Sequence, residues 1–107
     1  MPVIIAGTDE QKKEWLAPFS SDHAICSYAV TEPQAGSDVA NIGATAVKKG
    51  DSYIVNGQKV WITGAGHAKW FFVLATTDKD KRHKGKTAFI IPADLKGVVI
   101  GKKENNM

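Results

Sequence analysis

The chain has 107 residues, 43% of them hydrophobic, with one cysteine and a net charge of +3; that is enough for one domain with its own core. A single cysteine, Cys26, excludes an internal disulfide framework, and no stretch approaches the roughly 20 apolar residues that a bilayer-spanning helix needs. The charge excess sits entirely in 78–86, where Lys79, Lys81, Arg82, Lys84 and Lys86 face only Asp78 and Asp80, as in a solvated hairpin tip rather than a nucleic-acid face.

Met1–Gly7 is a short apolar run without the basic start or cleavage pattern of a signal peptide. Thr8–Leu16 reads as a short helix. Thr8 is a good N-cap, and Gln11 three residues on completes a capping-box pattern. Trp15 and Leu16 would form its apolar stripe. Pro18 should end it by driving Ala17 out of the helical region.

Beyond Phe19 the hydrophobic period changes to two. Cys26–Thr31 is the first expected strand, with Cys26, Tyr28 and Val30 on one face. Cys26 reads as a small buried strand residue rather than a nucleophile, since no histidine lies at a motif spacing from it. One thiol fits an intracellular, reducing compartment. Pro33 stops the strand because it has no N–H to donate. The loop that follows is Gln34-Ala35-Gly36-Ser37-Asp38. Gly36 offers positive φ and close backbone approach, and Ser37 and Asp38 bring a hydroxyl and a carboxylate. A strand running into small residues and free donors is a plausible mount for a phosphorylated or planar polar ligand. The same residues are also ordinary turn chemistry.

Ile42–Lys49 alternates as a strand, Gly50-Asp51 turns, and Ser52–Val55 returns. Asn56-Gly57 signals a two-residue type I′ hairpin leading into a strand at Gln58–Thr63, with Val60 and Ile62 opposite Lys59, Trp61 and Thr63. Gly64-Ala65-Gly66 breaks it. Trp70–Thr77 is nearly all apolar, as in a strand buried on both faces. After the charged loop come Thr87–Ile91, ended by Pro92, and a last short strand at Val98–Ile100. Six or seven short strands with tight turns predict a mainly β domain, a sandwich or barrel, behind a short N-terminal helix. There is no internal repeat, low-complexity tract or linker.

Two blocks carry a family resemblance. Tyr28-Ala-Val-Thr-Glu-Pro-Gln-Ala-Gly-Ser-Asp38 and Asn56-Gly-Gln-Lys-Val-Trp-Ile-Thr63 resemble the signatures of the acyl-CoA dehydrogenase family. The likeness runs from Ile5 to Asn106 and is nearest to the medium-chain members. It implies a closed antiparallel β-barrel, the family's middle domain, over residues 20–107, with residues 1–19 ending a preceding helical domain. It also implies that the apolar side of the 8–16 helix packs on helices outside this chain.

Removing hydrogen from the α and β carbons of an acyl thioester needs a base, a hydride acceptor and an oxyanion site. No side chain accepts a hydride, so a cofactor is required. In the resembled family it is FAD, and electrons pass on to an electron-transferring flavoprotein. Carried over by motif position, Tyr28 and Val30 would flank the flavin through backbone groups. Thr31 would hydrogen-bond its polar edge, and Thr63, next to Ile62, would donate near flavin N5. Gly36 and Ser37 would approach the pyrophosphate, and Ser37 also the acyl-CoA substrate. Trp61 would pack on the flavin on the side where the electron acceptor protein docks. A homotetramer in the mitochondrial matrix, free of nucleic acid and membrane, goes with the family.

The remaining polar residues read more plainly. Glu32, at a loop start, is expected to be solvated, and Asp38 to cap local backbone N–H groups. His23, His67 and His83 lack ligand spacing, so no metal site is expected. Two positions depart from the family pattern: Gln34 replaces a glycine, and Gly64 an asparagine. The family's catalytic glutamate lies on a helix beyond this domain, and no residue here matches it. The chain is therefore expected to be inactive alone and to hold FAD weakly or not at all. The competing readings are a plain β-barrel binding module, with Trp61, Trp70, Phe71 and Phe72 as stacking platforms, and a truncated relative kept as an interaction protein.

Overall fold

A computed structural model describes residues 1–103. Three short helices precede a sheet: α1 Pro2–Ala6, α2 Asp9–Leu16 and α3 Pro18–Ser21. The α2 start is as expected: Gln11 N–H donates to Thr8 Oγ1 at 3.2 Å, and Thr8 N–H to Gln11 Oε1 at 3.0 Å. The end is not. Ala17 keeps helical angles, φ −56° and ψ −38°, and Pro18 opens α3 at its first position, where a missing N–H costs nothing. The helices dock through Trp70. Its indole N–H donates to the Trp15 carbonyl at 3.2 Å, and the rings of Trp15 and Phe19 meet it edge-on at 6.4 and 5.8 Å. The apolar side of α2 thus finds one partner within the chain, although no α2 residue is fully buried.

The sheet has five strands: β1 Ile25–Ala29, β2 Thr45–Lys49, β3 Ser52–Asn56, β4 Ala68–Thr76 and β5 Lys86–Pro92. β4 is its axis. It pairs antiparallel with β5 over its length on one edge. On the other edge β1 runs parallel to it from Ile25↔Ala68 to Ala29↔Val73. Where β1 leaves, β2 joins that edge at Thr45↔Thr76, also parallel. β2 and β3 form a hairpin through Gly50, at φ 61°.

The closed antiparallel barrel is therefore not formed; the sheet is open and mixed. The reason lies in three segments. β1 pairs parallel with β4, which the long crossover between them permits. The stretch 57–63 makes no strand, so nothing bridges β3 back to β1. Val98–Ile100 is not a strand either. Asn56-Gly57 makes no type I′ turn: Gly57 is near-extended and lies against Ala44, where a β-carbon would overlap the Ala44 β-carbon. Residues 104–107, the end of the expected domain, lie outside the described residues.

The interior is small and alanine-rich. Ala29, Ala68 and Phe71 form one cluster, with Ile62 and Val73 against it; Ala44, Ala46 and Ala75 form another, with Val55 and Phe89. On β1, Ser27 and Ala29 point inward while Cys26 and Tyr28 are exposed. Cys26 is thus a surface thiol, not a buried one. The basic loop is a hairpin tip as expected, with Lys79–Lys84 exposed between β4 and β5.

Candidate functional site

The site is the edge where the end of β1 meets the segment 58–63. The two are not joined by a ladder but by three specific bonds. Val60 N–H donates to the Thr31 carbonyl at 2.9 Å. Lys59 Nζ donates to the Val30 carbonyl at 3.0 Å. The buried Ser27 hydroxyl donates to the Thr63 carbonyl at 2.8 Å. The two motif blocks, 18 residues apart at their nearest ends, therefore run side by side.

The anchor is a residue expected to be solvated. Glu32 is 4% exposed. Its carboxylate accepts from Lys59 Nζ at 2.7 Å, Ala44 N–H at 2.9 Å, Gly43 N–H at 2.5 Å and Gln34 Nε2 at 2.7 Å. Burial pushes this carboxyl up. The Lys59 hydrogen bond, the Gly43 and Ala44 amides and the lysine charge together outweigh that, and hold it below the ordinary carboxylate value. Gly43 can bring its amide this close because a β-carbon there would lie 2.9 Å from Gln34 Nε2. Gln34, the departure from the family glycine, is thus used: it fills a lone pair of Glu32 in a turn without positive φ.

Trp61 holds φ 59°, one of two non-glycine residues with positive φ among those described, and the residue is 70% exposed. A bulky side chain held in the left-handed region is strained, and such strain clusters at functional sites. Gly64 also lies in that region, at φ 73°. Asparagine, which the family places there, is the other residue that tolerates it, so the replacement keeps the backbone.

The other expected site residues divide. Tyr28 is exposed and stacks on Phe72 at 5.4 Å, 8° from parallel, beside a cleft lined by Leu16, Cys26 and Trp70. Val30 is buried and available only through its backbone. Thr31 is half-buried, and Ser37 and Thr63 are exposed. Among the described residues none of these three hydroxyls has an intramolecular partner. Ile62 packs on the Ala29–Phe71 cluster. Gly36 has no positive φ; its contribution is open space, since a β-carbon would meet nothing within 4 Å. Asp38 accepts from the Asn41 side chain and caps no backbone N–H with its own. Trp70 and Phe71 are buried and offer no stacking platform.

Glu32, Lys59, Gly43 and Ser27 escaped sequence reasoning. A signal existed: the second motif block carries one charge, Lys59, and the first carries two of opposite sign to it, Glu32 and Asp38, of which Glu32 stands next to the strand, so blocks that pair bring Glu32 and Lys59 together.

The fold and this edge define an open mixed-sheet domain with one polar, aromatic-flanked rim built from two loops. Residues 27–107 match the family model "Acyl-CoA dehydrogenase, middle domain", and the chain belongs to the acyl-CoA dehydrogenase family. It is 54% identical over 109 residues to the probable medium-chain specific acyl-CoA dehydrogenase 2, mitochondrial, of Caenorhabditis briggsae, covering 99% of this chain and 27% of that protein. It is 42% identical over 106 residues to the mitochondrial short-chain specific acyl-CoA dehydrogenase of Bos taurus, covering 99% of this chain and 26% of that protein. The structure of butyryl-CoA dehydrogenase from Megasphaera elsdenii superposes with a TM-score of 0.91 at 38% identity, over 97% of this chain and 27% of that one. The chain thus spans about a quarter of the length of these relatives.

Proposed function

We propose that this domain is the flavin- and substrate-facing wall of an FAD-dependent acyl-CoA dehydrogenase. Residues 20–107 would be the middle domain and 1–19 the end of a helical one. The observation that carries the reading is the rim itself: Thr31 and Trp61–Thr63 tied together, with the hydroxyls of Thr31, Thr63 and Ser37 unspent. That donor set fits the polar edge of an isoalloxazine and a pyrophosphate, and Trp61 provides an exposed ring beside it. FAD, when bound, would supply the hydride acceptor that no side chain can supply. Thr31 would donate to the ring's polar edge, and Thr63 would donate near its N5. Tyr28, Val30 and Ile62 would flank it, Val30 through its backbone. Ser37 and the open space at Gly36 would admit the pyrophosphate and the acyl-CoA. Trp61 would exclude water on the side where an electron-transferring flavoprotein docks. The α-proton base would come from outside this chain, so the chain alone should not turn over octanoyl-CoA with an artificial electron acceptor. The names of the curated relatives support a mitochondrial setting, and the matrix and a homotetramer go with the family reading.

The test is a chimera in which this domain replaces the matching quarter of the Megasphaera elsdenii butyryl-CoA dehydrogenase. Bound FAD per subunit, read by absorbance, should persist in the chimera and fall about tenfold in affinity when Thr31→Val and Thr63→Val are combined, as expected for two lost hydrogen bonds. A folded chimera holding FAD undiminished without both hydroxyls overturns the reading.

A further inference from the structure

Glu32 and Lys59 make an ion pair where stability alone does not call for one. Their side chains are only 2% and 11% exposed. Taking both charges out of water is costly, and a well-packed apolar pair is often as stable or more so. What the pair adds is geometry. One carboxylate gathers four donors, from the Pro33 turn, from the approach to β2 and from the segment after β3. Lys59 then turns to the Val30 carbonyl, so three stretches distant in sequence meet at one point. Two residues beyond Lys59, Trp61 stands in its left-handed conformation. A tryptophan keeps such a conformation only when its surroundings over-determine it. Here its neighbours are pinned on both sides, Val60 to Thr31 and Thr63 to Ser27.

We infer that the buried Glu32–Lys59 pair is a positioning clasp: it locks segment 59–63 against the end of β1, keeps Trp61 in its strained conformation and so sets the relation of Thr31 to Trp61 and Thr63. Neither residue is a catalytic one; both act through the residues they hold. The inference rests on the proposed function only for what the rim is used for.

Amide hydrogen exchange separates a clasp from a mere contribution to stability. The reporter is the Val60 amide, bonded to Thr31, measured against the Phe71–Val73 amides of β4 in the same molecule. Lys59→Met leaves Glu32 buried and unpaired. Glu32→Gln combined with Lys59→Met removes both charges and protects against simple unfolding. In both variants Val60 exchange should rise about tenfold relative to β4, because only the local tie is lost. Lys59→Arg keeps the charge and should restore most of the protection. Val60 and β4 shifting in parallel, or neither shifting, overturns the clasp. In the chimera, Lys59→Met should also weaken FAD binding about tenfold. Val60 loosening with FAD affinity unchanged leaves the clasp standing and overturns the flavin reading instead.

Discussion

Trp61 allows the strain at the rim to be measured. Its φ of 59° penalises any residue with a β-carbon, and the tryptophan is mostly in solvent. Two substitutions separate the backbone from the ring. Trp61→Ala removes the ring and keeps the β-carbon; Trp61→Gly removes both. At an ordinary position glycine is the worse of the two by about 0.4–1 kcal/mol, because its unfolded chain is freer. In the left-handed region the β-carbon costs roughly 1–2 kcal/mol, which glycine escapes. The difference leaves Trp61→Gly more stable than Trp61→Ala by about 0.5–1 kcal/mol, opposite to the usual order. With a urea m-value of about 1 kcal/mol/M, the midpoints should lie about 0.5–1 M apart at equal m. Lys48, exposed on β2 with no positive φ, is the control: Lys48→Gly should unfold at lower urea than Lys48→Ala. If the Trp61 pair shows the same order as the Lys48 pair, the backbone there is not strained and the case for a held tryptophan fails.

Two further outcomes follow from the same contacts. Gly57→Ala should cost about 1–3 kcal/mol in urea unfolding, since the new methyl would lie 2.4 Å from the Ala44 β-carbon and 2.8 Å from its α-carbon, and Ala44→Gly in the same chain should recover little of it because the backbone clash remains. The pH dependence follows from Glu32. Its folded value lies below the ordinary 4.5, so its contribution is complete above that value and is lost as pH falls through the folded value. Acid unfolding should therefore steepen below about pH 4.5, and Glu32→Gln should flatten that limb; identical acid limbs would show that the carboxylate is not held as described. Asp78, also lowered by Lys81, is exposed and screened, and should contribute little to that limb.

Much of the fold was legible, and the reasons for the failures are specific. The Thr8 cap, the Gly50 turn and the apolar β4 run are local features, and each formed, although β4 is not buried on both faces throughout: Phe72, Val73 and Leu74 are half-buried. Strand pairing is not local. Nothing in the alternation of 26–31 tells that its partner is β4, some 40 residues on, or that the pairing is parallel. Asn56-Gly57 failed as a hairpin because tertiary contact overrode turn propensity: Gly57 is needed for close approach to Ala44, not for left-handed φ. Ala17 failed because Pro18 opens a new helical turn rather than blocking the old one. The motif residues were found by resemblance, and the side chains that hold them were not, because a carboxylate beside a proline reads as a surface residue until its donors are seen.

The rim also explains why its two motif blocks carry a strained residue and a buried charge together. Local preference opposes both features. Tryptophan does not favour the left-handed region, and neither glutamate nor lysine favours burial. A sequence selected only to fold would place glycine at 61 and apolar residues at 32 and 59. Departures from local consistency that compensate one another concentrate where geometry has to serve a ligand rather than the fold. Here the compensation is direct: the charge that is costly to bury lies two residues from the backbone that is costly to hold, and the bonds made by the first restrain the second. Removing either half alone should expose the cost of the other, so Lys59→Met should be less damaging in the Trp61→Gly background than in the native one. A double-mutant cycle on unfolding free energy should give a coupling of about 0.5–1 kcal/mol. Strict additivity would mean that the pair and the strained tryptophan are neighbours without being connected.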